Sequence, residues 1–217
     1  MRIKVVTFTD KPNHPGFLQL KRSMDHFAID YHVITGRWNG FGTKIIETAN
    51  YVRSIQDEYT HFIFVDAHDT FFLSGEFDEL IPEDFGLVNA EKGDWPQPPH
   101  PTPYPEFKSE WRYLNSGVYS FPIPLYLKMV EQHPINYRDD DQGWLRNIYL
   151  TKRSAEMDIR MDTNCDVFQS IAFRDFSDFE IRRGSLYNLK TKTTPVIIHN
   201  NGGNSNNPMH WIYNLLP

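Results

Sequence analysis

Two periods of apolar and polar residues run through the first third of this chain. IKVVTFT (3–9) and HFIFVD (61–66) are continuous apolar and β-branched runs, the pattern of strands covered on both faces. DYHVITG (30–36) reads as a strand between them, ending at Gly36. Phe17, Leu20, Met24 and Phe27 recur near the helical period of about 3.6 within FLQLKRSMDHFA (17–28). TKIIETANYVRSI (43–55) opens on Thr43, a residue type suited to an N-cap, and reads as a second helix. The order β-α-β-α-β predicts an α/β fold of the Rossmann-like kind, with a mostly parallel central sheet flanked by helices. Ligands bind such sheets beyond the carboxyl ends of the strands.

The pattern is less regular afterwards. FGLVNAE (85–91), YLNSGVYSFP (113–122), FEIRR (179–183) and PVIIH (195–199) read as strands, PLYLKMVEQ (124–132) and DDDQGWLRNIYL (139–150) as helices. WPQPPHPTPYP (95–105) carries six prolines in eleven residues and must be a loop. Its tryptophan and tyrosine suit a packed or ligand-facing loop. With 217 residues, 40% of them hydrophobic, the chain can bury a sizeable core, and a single domain over 1–217 is expected. A net charge of −6 gives no global attraction to nucleic acid or anionic membrane. The lone Cys165 excludes an intrachain disulfide. No run approaches the roughly eighteen apolar residues of a membrane span, and residues 1–9 do not form a signal peptide, so a soluble, cytoplasmic protein without a membrane partner is expected.

Three places carry candidate chemistry. In the D-x-x-D motif, Asp66 and Asp69 follow an apolar strand and can converge only if the strand ends near Asp66 and the chain turns. Two carboxylates on one rigid edge repel unless a cation lies between them, and Mg²⁺ or Mn²⁺ favours such oxygen ligands; turn formation by the same aspartates is the plainer reading. His199 ends PVIIH just before Gly202 and Gly203, and an imidazole beside carboxylates suits Mn²⁺ better than Ca²⁺. In RDDDQGW (138–144), Asp139 can cap the helix with Gln142 at N3, and Asp140 and Asp141 in the first turn would complement the helix dipole. Three consecutive acids exceed what capping requires and point to acid/base or cation-stabilising work.

FVDAHD, NAEKGDWP, YLNSGVYSF, DDDQGWLRNIYL, DVFQ and PVIIHNNGG, in that order from about residue 4 to 204, resemble the GT-A glycosyltransferase domain of multifunctional collagen lysyl hydroxylases. They are more distantly similar to the procollagen galactosyltransferases. The resemblance implies a single GT-A domain with a donor-binding half (about 1–92) and an acceptor or catalytic half (about 93–217), free of a hydroxylase portion. It implies a metal-dependent hexosyltransferase that uses a UDP-sugar, with glucose or galactose as the sugar. Asp66, Asp69 and His199 would hold Mn²⁺ (or Mg²⁺). Thr7 and Thr9 would line the nucleotide pocket, Trp38 and His68 would lie beside uracil or ribose, and Lys44 would face the phosphates. Asp140, Asp141, Trp95 and Asn115 would stand on the acceptor and sugar side. The acceptor would be a hydroxyl on a glycan, a hydroxylated protein side chain or a modified nucleobase. His68 stands where relatives often carry tyrosine, Asp94 where cysteine is usual, and Asn200 and Asn201 alter the glycine-rich loop after the histidine.

Either stereochemical course fits, with Asp140 or Asp141 supporting an oxocarbenium-like centre or acting as base. Two other classes share these residue types: a metal-dependent nucleotidyltransferase or phosphohydrolase, although no G-x-x-x-x-G-K-[ST] loop is present, and a Ca²⁺-dependent carbohydrate-binding protein.

Overall fold

A computed structural model describes residues 1–151, 157–172 and 176–202. Strand β1 (Ile3–Thr9) is the pivot of the first half: β2 (Tyr31–Thr35) lies parallel on one side of it and β3 (His61–Val65) parallel on the other. Strand β4 (Thr70–Phe72) belongs to a smaller sheet. β5 (Gly86–Glu91) and β6 (Tyr113–Pro122) continue the main one, β6 antiparallel to both β3 and β5. β7 (Ile159–Asp162) adds a parallel edge to β5, giving the order β2-β1-β3-β6-β5-β7. Three of the five pairings are thus parallel, and both reversals involve β6. Since β6 reverses twice, β1, β3 and β5 point the same way and their carboxyl ends share one edge.

Alternation along β3 explains the layers. Phe62 and Phe64 join one core with Ile45 and Val52 of helix α2 (Gly42–Ser54), Tyr126 of α3 (Ile123–Gln132) and Leu145 of α4 (Asp141–Leu150). Ile63 and Val65 face the opposite core with Leu20 and Met24 of α1 (Pro15–His26). That second core also holds Phe72 of β4, Phe168 of β8 (Phe168–Ser170) and Ile197 of β11 (Ile197–His199). These three short strands form the smaller sheet in the order β4-β11-β8. A separate hairpin pairs β9 (Phe179–Arg182) with β10 (Ser185–Asn188).

Two capping expectations are corrected. Thr43 lies inside α2, and its hydroxyl accepts from the Asn39 N–H (3.1 Å). The cap is Phe41, two residues earlier, and Gly42 opens the helix packed against the Asn136 carbonyl, where a Cβ would come within 2.0 Å, and donating to the Tyr137 carbonyl at 3.0 Å. In α4 the cap is Asp140, whose carboxylate accepts from the Gly143 N–H (2.5 Å). Asp139 lies outside the helix and accepts from the Asn136 backbone (2.8 Å) and side-chain amide (3.0 Å), so the expected Asp139–Gln142 capping box does not form. No helix among the described residues is long and apolar enough to cross a membrane. Gly203 and the GNSNNP stretch it opens lie outside the described residues.

Candidate active site

The shared carboxyl edge brings the candidate groups together. β3 stops at Val65, and the Asp66 N–H donates to the Gly117 carbonyl of β6 (2.8 Å). The chain turns, and Asp69 precedes β4, whose antiparallel ladder with β11 sets Thr70 opposite His199. The imidazole therefore arrives beside both carboxylates: Nε2 stands 3.5 Å from Asp69 Oδ1 and 3.8 Å from Asp66 Oδ2. One ligand atom from each residue lies within 4.8 Å of the others. Gly117 makes the room, since a Cβ there would sit 2.0 Å from His199 Cε1 and 2.8 Å from Asp66 Oδ2.

The group fits a divalent cation. His199 is only 2% exposed, and neither ring nitrogen has a hydrogen-bond partner among the described residues. A buried polar group left so costs free energy that a metal bond would offset. Two carboxylates and an imidazole are the donors that Mn²⁺ accepts. Burial raises Asp66 to about 6 against the pull of Lys44. Burial also acts to raise Asp69, but His199, Lys44 and His68 together outweigh it and hold that carboxyl below its ordinary range.

Lys44, from the first turn of α2, reaches the same edge. Its Nζ donates to Asp66 Oδ1 (2.8 Å) and Oδ2 (3.1 Å) and lies 2.9 Å from Asp141 Oδ2. Burial would depress this ammonium, yet Asp141 and Asp66 together hold it well above its ordinary value. Asp141 also accepts from the Ser116 hydroxyl (2.6 Å). The acidic run thus divides by position: Asp139 builds a turn, Asp140 caps the helix at the cleft wall, and buried Asp141 is tied to Lys44.

Two clefts meet at these residues. The larger, about 510 Å³, is walled by Trp95, Asn115, Asp140 and Asp141; the smaller, about 280 Å³, by Phe8, Trp38 and His68. Phe41, Lys44, Asp66 and Asp69 line both. Trp38 (39% exposed), Phe41 (54%) and Trp95 (58%) present aromatic surface along this path. Thr7 and Thr9 are buried, and neither lines a cleft. Both are turned inward by the strand's alternation, opposite Phe8, and Thr9 reaches the smaller cleft only through its hydrogen bond to His68 Nε2 (3.1 Å).

Glu91 and Arg146 were not singled out from the sequence, and Gln142 only as a capping partner. Glu91 ends β5 as Asp66 follows β3, and a search for carboxylates at strand ends would have found it. Its carboxylate accepts from Asn115 Nδ2 (3.2 Å), Gln142 Nε2 (2.7 Å) and Asn201 Nδ2. Burial pushes its pKa up despite those donors. Asn115 in turn accepts from the Gly117 N–H (2.9 Å), which ties this amide network to the glycine under His199. Gln142 and Arg146, one turn apart on α4, hold the proline-rich segment. Gln142 Nε2 donates to the Trp95 carbonyl (3.1 Å), and Arg146 Nη1 donates to the Pro96 carbonyl (2.7 Å) and lies 3.3 Å from Asp94 Oδ1. Arg146→Met, which keeps the apolar stem but removes these donors, is expected to cost about 1.5–3 kcal/mol of stability. It should also expose residues 95–105 to proteolysis. Denaturant melts and timed digestion check this; a parental digestion pattern would show that the guanidinium does not hold the loop.

A likeness to a solved structure matches this picture. The chain aligns over 94% of its length with 95% of the crystal structure of a glycosyltransferase involved in the glycosylation of the major capsid of PBCV-1, with a TM-score of 0.58 and 5% identity. The fold is that of the GT-A glycosyltransferases. The chain belongs to the family of the PLOD GT domain, whose model matches residues 1–216, and it is a glycosyltransferase. It is 27% identical over 221 residues to the multifunctional procollagen lysine hydroxylase and glycosyltransferase of Caenorhabditis elegans, and 33% identical over 224 residues to the procollagen-lysine,2-oxoglutarate 5-dioxygenase of Drosophila melanogaster. These alignments cover 91% and 93% of this chain but 30% of each relative, so the chain spans about a third of their length.

Proposed function

We propose that this chain transfers a hexose from a UDP-sugar to an acceptor hydroxyl, with Asp66, Asp69 and His199 holding Mn²⁺ or Mg²⁺. The observation that carries this reading is the position of the Asp–Asp–His group where the two clefts meet, with a buried imidazole that makes no hydrogen bond among the described residues and faces both carboxylates. The bound ion supplies positive charge against the diphosphate as UDP departs. Lys44, already shared between Asp66 and Asp141, and Lys11, which lines the smaller cleft, can add further positive charge there. Trp38, Phe41 and His68 in the smaller cleft suit a planar base and its ribose. The larger cleft then takes the sugar: Trp95 offers a ring face, Asn115 an amide, and Asp140 and Asp141 carboxylates for an oxocarbenium-like centre or the acceptor proton. This arrangement supports a donor half, about 1–92, and an acceptor half, about 93–217, within one domain.

A screen of UDP-sugars with Mn²⁺, each with and without hydroxyl acceptors, tests the proposal. Metal-dependent UDP release from UDP-glucose or UDP-galactose is expected. Pyrophosphate release would instead mark a nucleotidyltransferase, and Ca²⁺-dependent sugar binding without turnover would mark a binding protein.

A further inference from the structure

Beyond the Trp95 segment lies a second cavity of about 510 Å³, as large as the main cleft. Residues 94–113 supply its whole lining. The connection between β5 and β6, residues 92–112, contains no helix or strand. Connections longer than about 12–15 residues without secondary structure are usually functional where they are ordered. This one is fastened to α4 by Gln142 and Arg146, and to β6 by the Leu114 N–H, which donates to the Tyr104 hydroxyl (3.2 Å).

The groove adjoins the main cleft directly. Asp94 lines the groove and Trp95 the cleft. Tyr113 lines the groove, and Asn115, two residues further along β6 and so about 7 Å away, lines the cleft. A ligand that enters the cleft and continues past Trp95 reaches the groove within one sugar ring.

Its chemistry is selective. The Tyr104 and Tyr113 rings meet edge to face (5.3 Å, 87°), which makes an aromatic corner. Asp94 and Glu106 contribute carboxylates and Arg112 a guanidinium, which lies 5.4 Å from the centre of the Tyr113 ring. Asp94 is already paired with Arg146 (3.3 Å), so Glu106 and Arg112 are the opposed charges left, and they leave no excess positive charge for a phosphate. A carboxylate and a guanidinium accept and donate paired hydrogen bonds to neighbouring hydroxyls, while the aromatic corner covers the C–H face of a ring. That combination fits a neutral polyol.

We propose that this groove is an acceptor subsite for a saccharide, binding the sugar ring next to the one whose hydroxyl enters the main cleft. The placement of the reacting hydroxyl rests on the transferase reading; saccharide binding in the groove does not. The test applies the labelled full chain, without nucleotide, to an array of defined oligosaccharides and proline-rich peptides. Retention on saccharides is expected, and Glu106→Gln and Arg112→Met, both at exposed positions, should each weaken it about tenfold at parental melting temperature. Retention on peptides alone, retention on neither class, or saccharide retention unchanged in both variants overturns the subsite. Calorimetry of UDP with Mn²⁺ on the parent separates the two readings, since its failure strikes the donor assignment and leaves the array result standing.

Discussion

Gly117→Ala, the gain of a single methyl group, is expected to remove Mn²⁺-dependent UDP binding while the chain still folds. An added Cβ would lie 2.0 Å from His199 Cε1, 2.5 Å from Nε2 and 2.8 Å from Asp66 Oδ2. All three distances are far inside van der Waals contact, so the ring and the carboxylate must move. Overpacking of this sort costs about 1–3 kcal/mol, which a domain of this size can absorb. Metal coordination has no such tolerance, because ligand distances must hold within about 0.2 Å. Even outer-shell changes weaken metal sites by about 10–100-fold, and displacing two ligands should exceed that range. Calorimetric titration of UDP with Mn²⁺, beside a thermal melt, is the measurement. His199→Ala and Asp66→Asn, which delete ligands without overpacking, should give the same loss. A parental titration in Gly117→Ala would mean that His199 and Asp66 do not hold the ion.

How far the sequence revealed this site depended on where each group lies. β1 and β3 were legible because strands covered on both faces must be apolar throughout, and Asp66 stood out as the first charge after such a run. The convergence of Asp69 and His199 came only through the family resemblance: PVIIH reads as a strand, but the three residues of β4 do not, and neither segment shows that the two pair. β7, β8 and β10, of four residues or fewer, are too short to show a clear period, whereas the equally short β9 and β11 lie inside FEIRR and PVIIH, which read as strands. Capping register failed differently. Three adjacent aspartates offer three possible caps, and long-range contacts decide among them: Asp141 is drawn inward by Lys44 and Ser116, which leaves Asp140 at the helix mouth. Gly117 and Gln142 lay inside the quoted motifs, yet their roles are spatial, one as empty space for an imidazole and one as a link between Glu91 and the Trp95 segment.

Lys44→Met should produce the largest loss of stability in the site, and one that metal partly reverses. The ammonium is the cation between Asp66 and the buried Asp141, and its removal leaves the two carboxylates without it at the cleft wall. Breaking a buried pair from one side typically costs about 3–5 kcal/mol. Mn²⁺ would then supply the missing positive charge to Asp66, so adding it should raise the melting temperature more in the variant than in the parent. Asp141→Asn differs in kind: it keeps the volume and an acceptor for the Ser116 hydroxyl, and leaves Lys44 with Asp66. Its stability cost should therefore be smaller. Its turnover should fall by about 10²-fold or more if the Asp141 charge acts in the transition state. Asp140→Asn is the comparison, because asparagine caps helices about as well as aspartate and should leave the melting temperature near parental. Melts with and without Mn²⁺, run beside UDP release on the three variants, decide the matter. Parental stability of metal-free Lys44→Met would show that the pair carries little of the fold. Parental turnover of Asp141→Asn would remove that carboxylate from the chemistry and leave it the task of positioning Lys44.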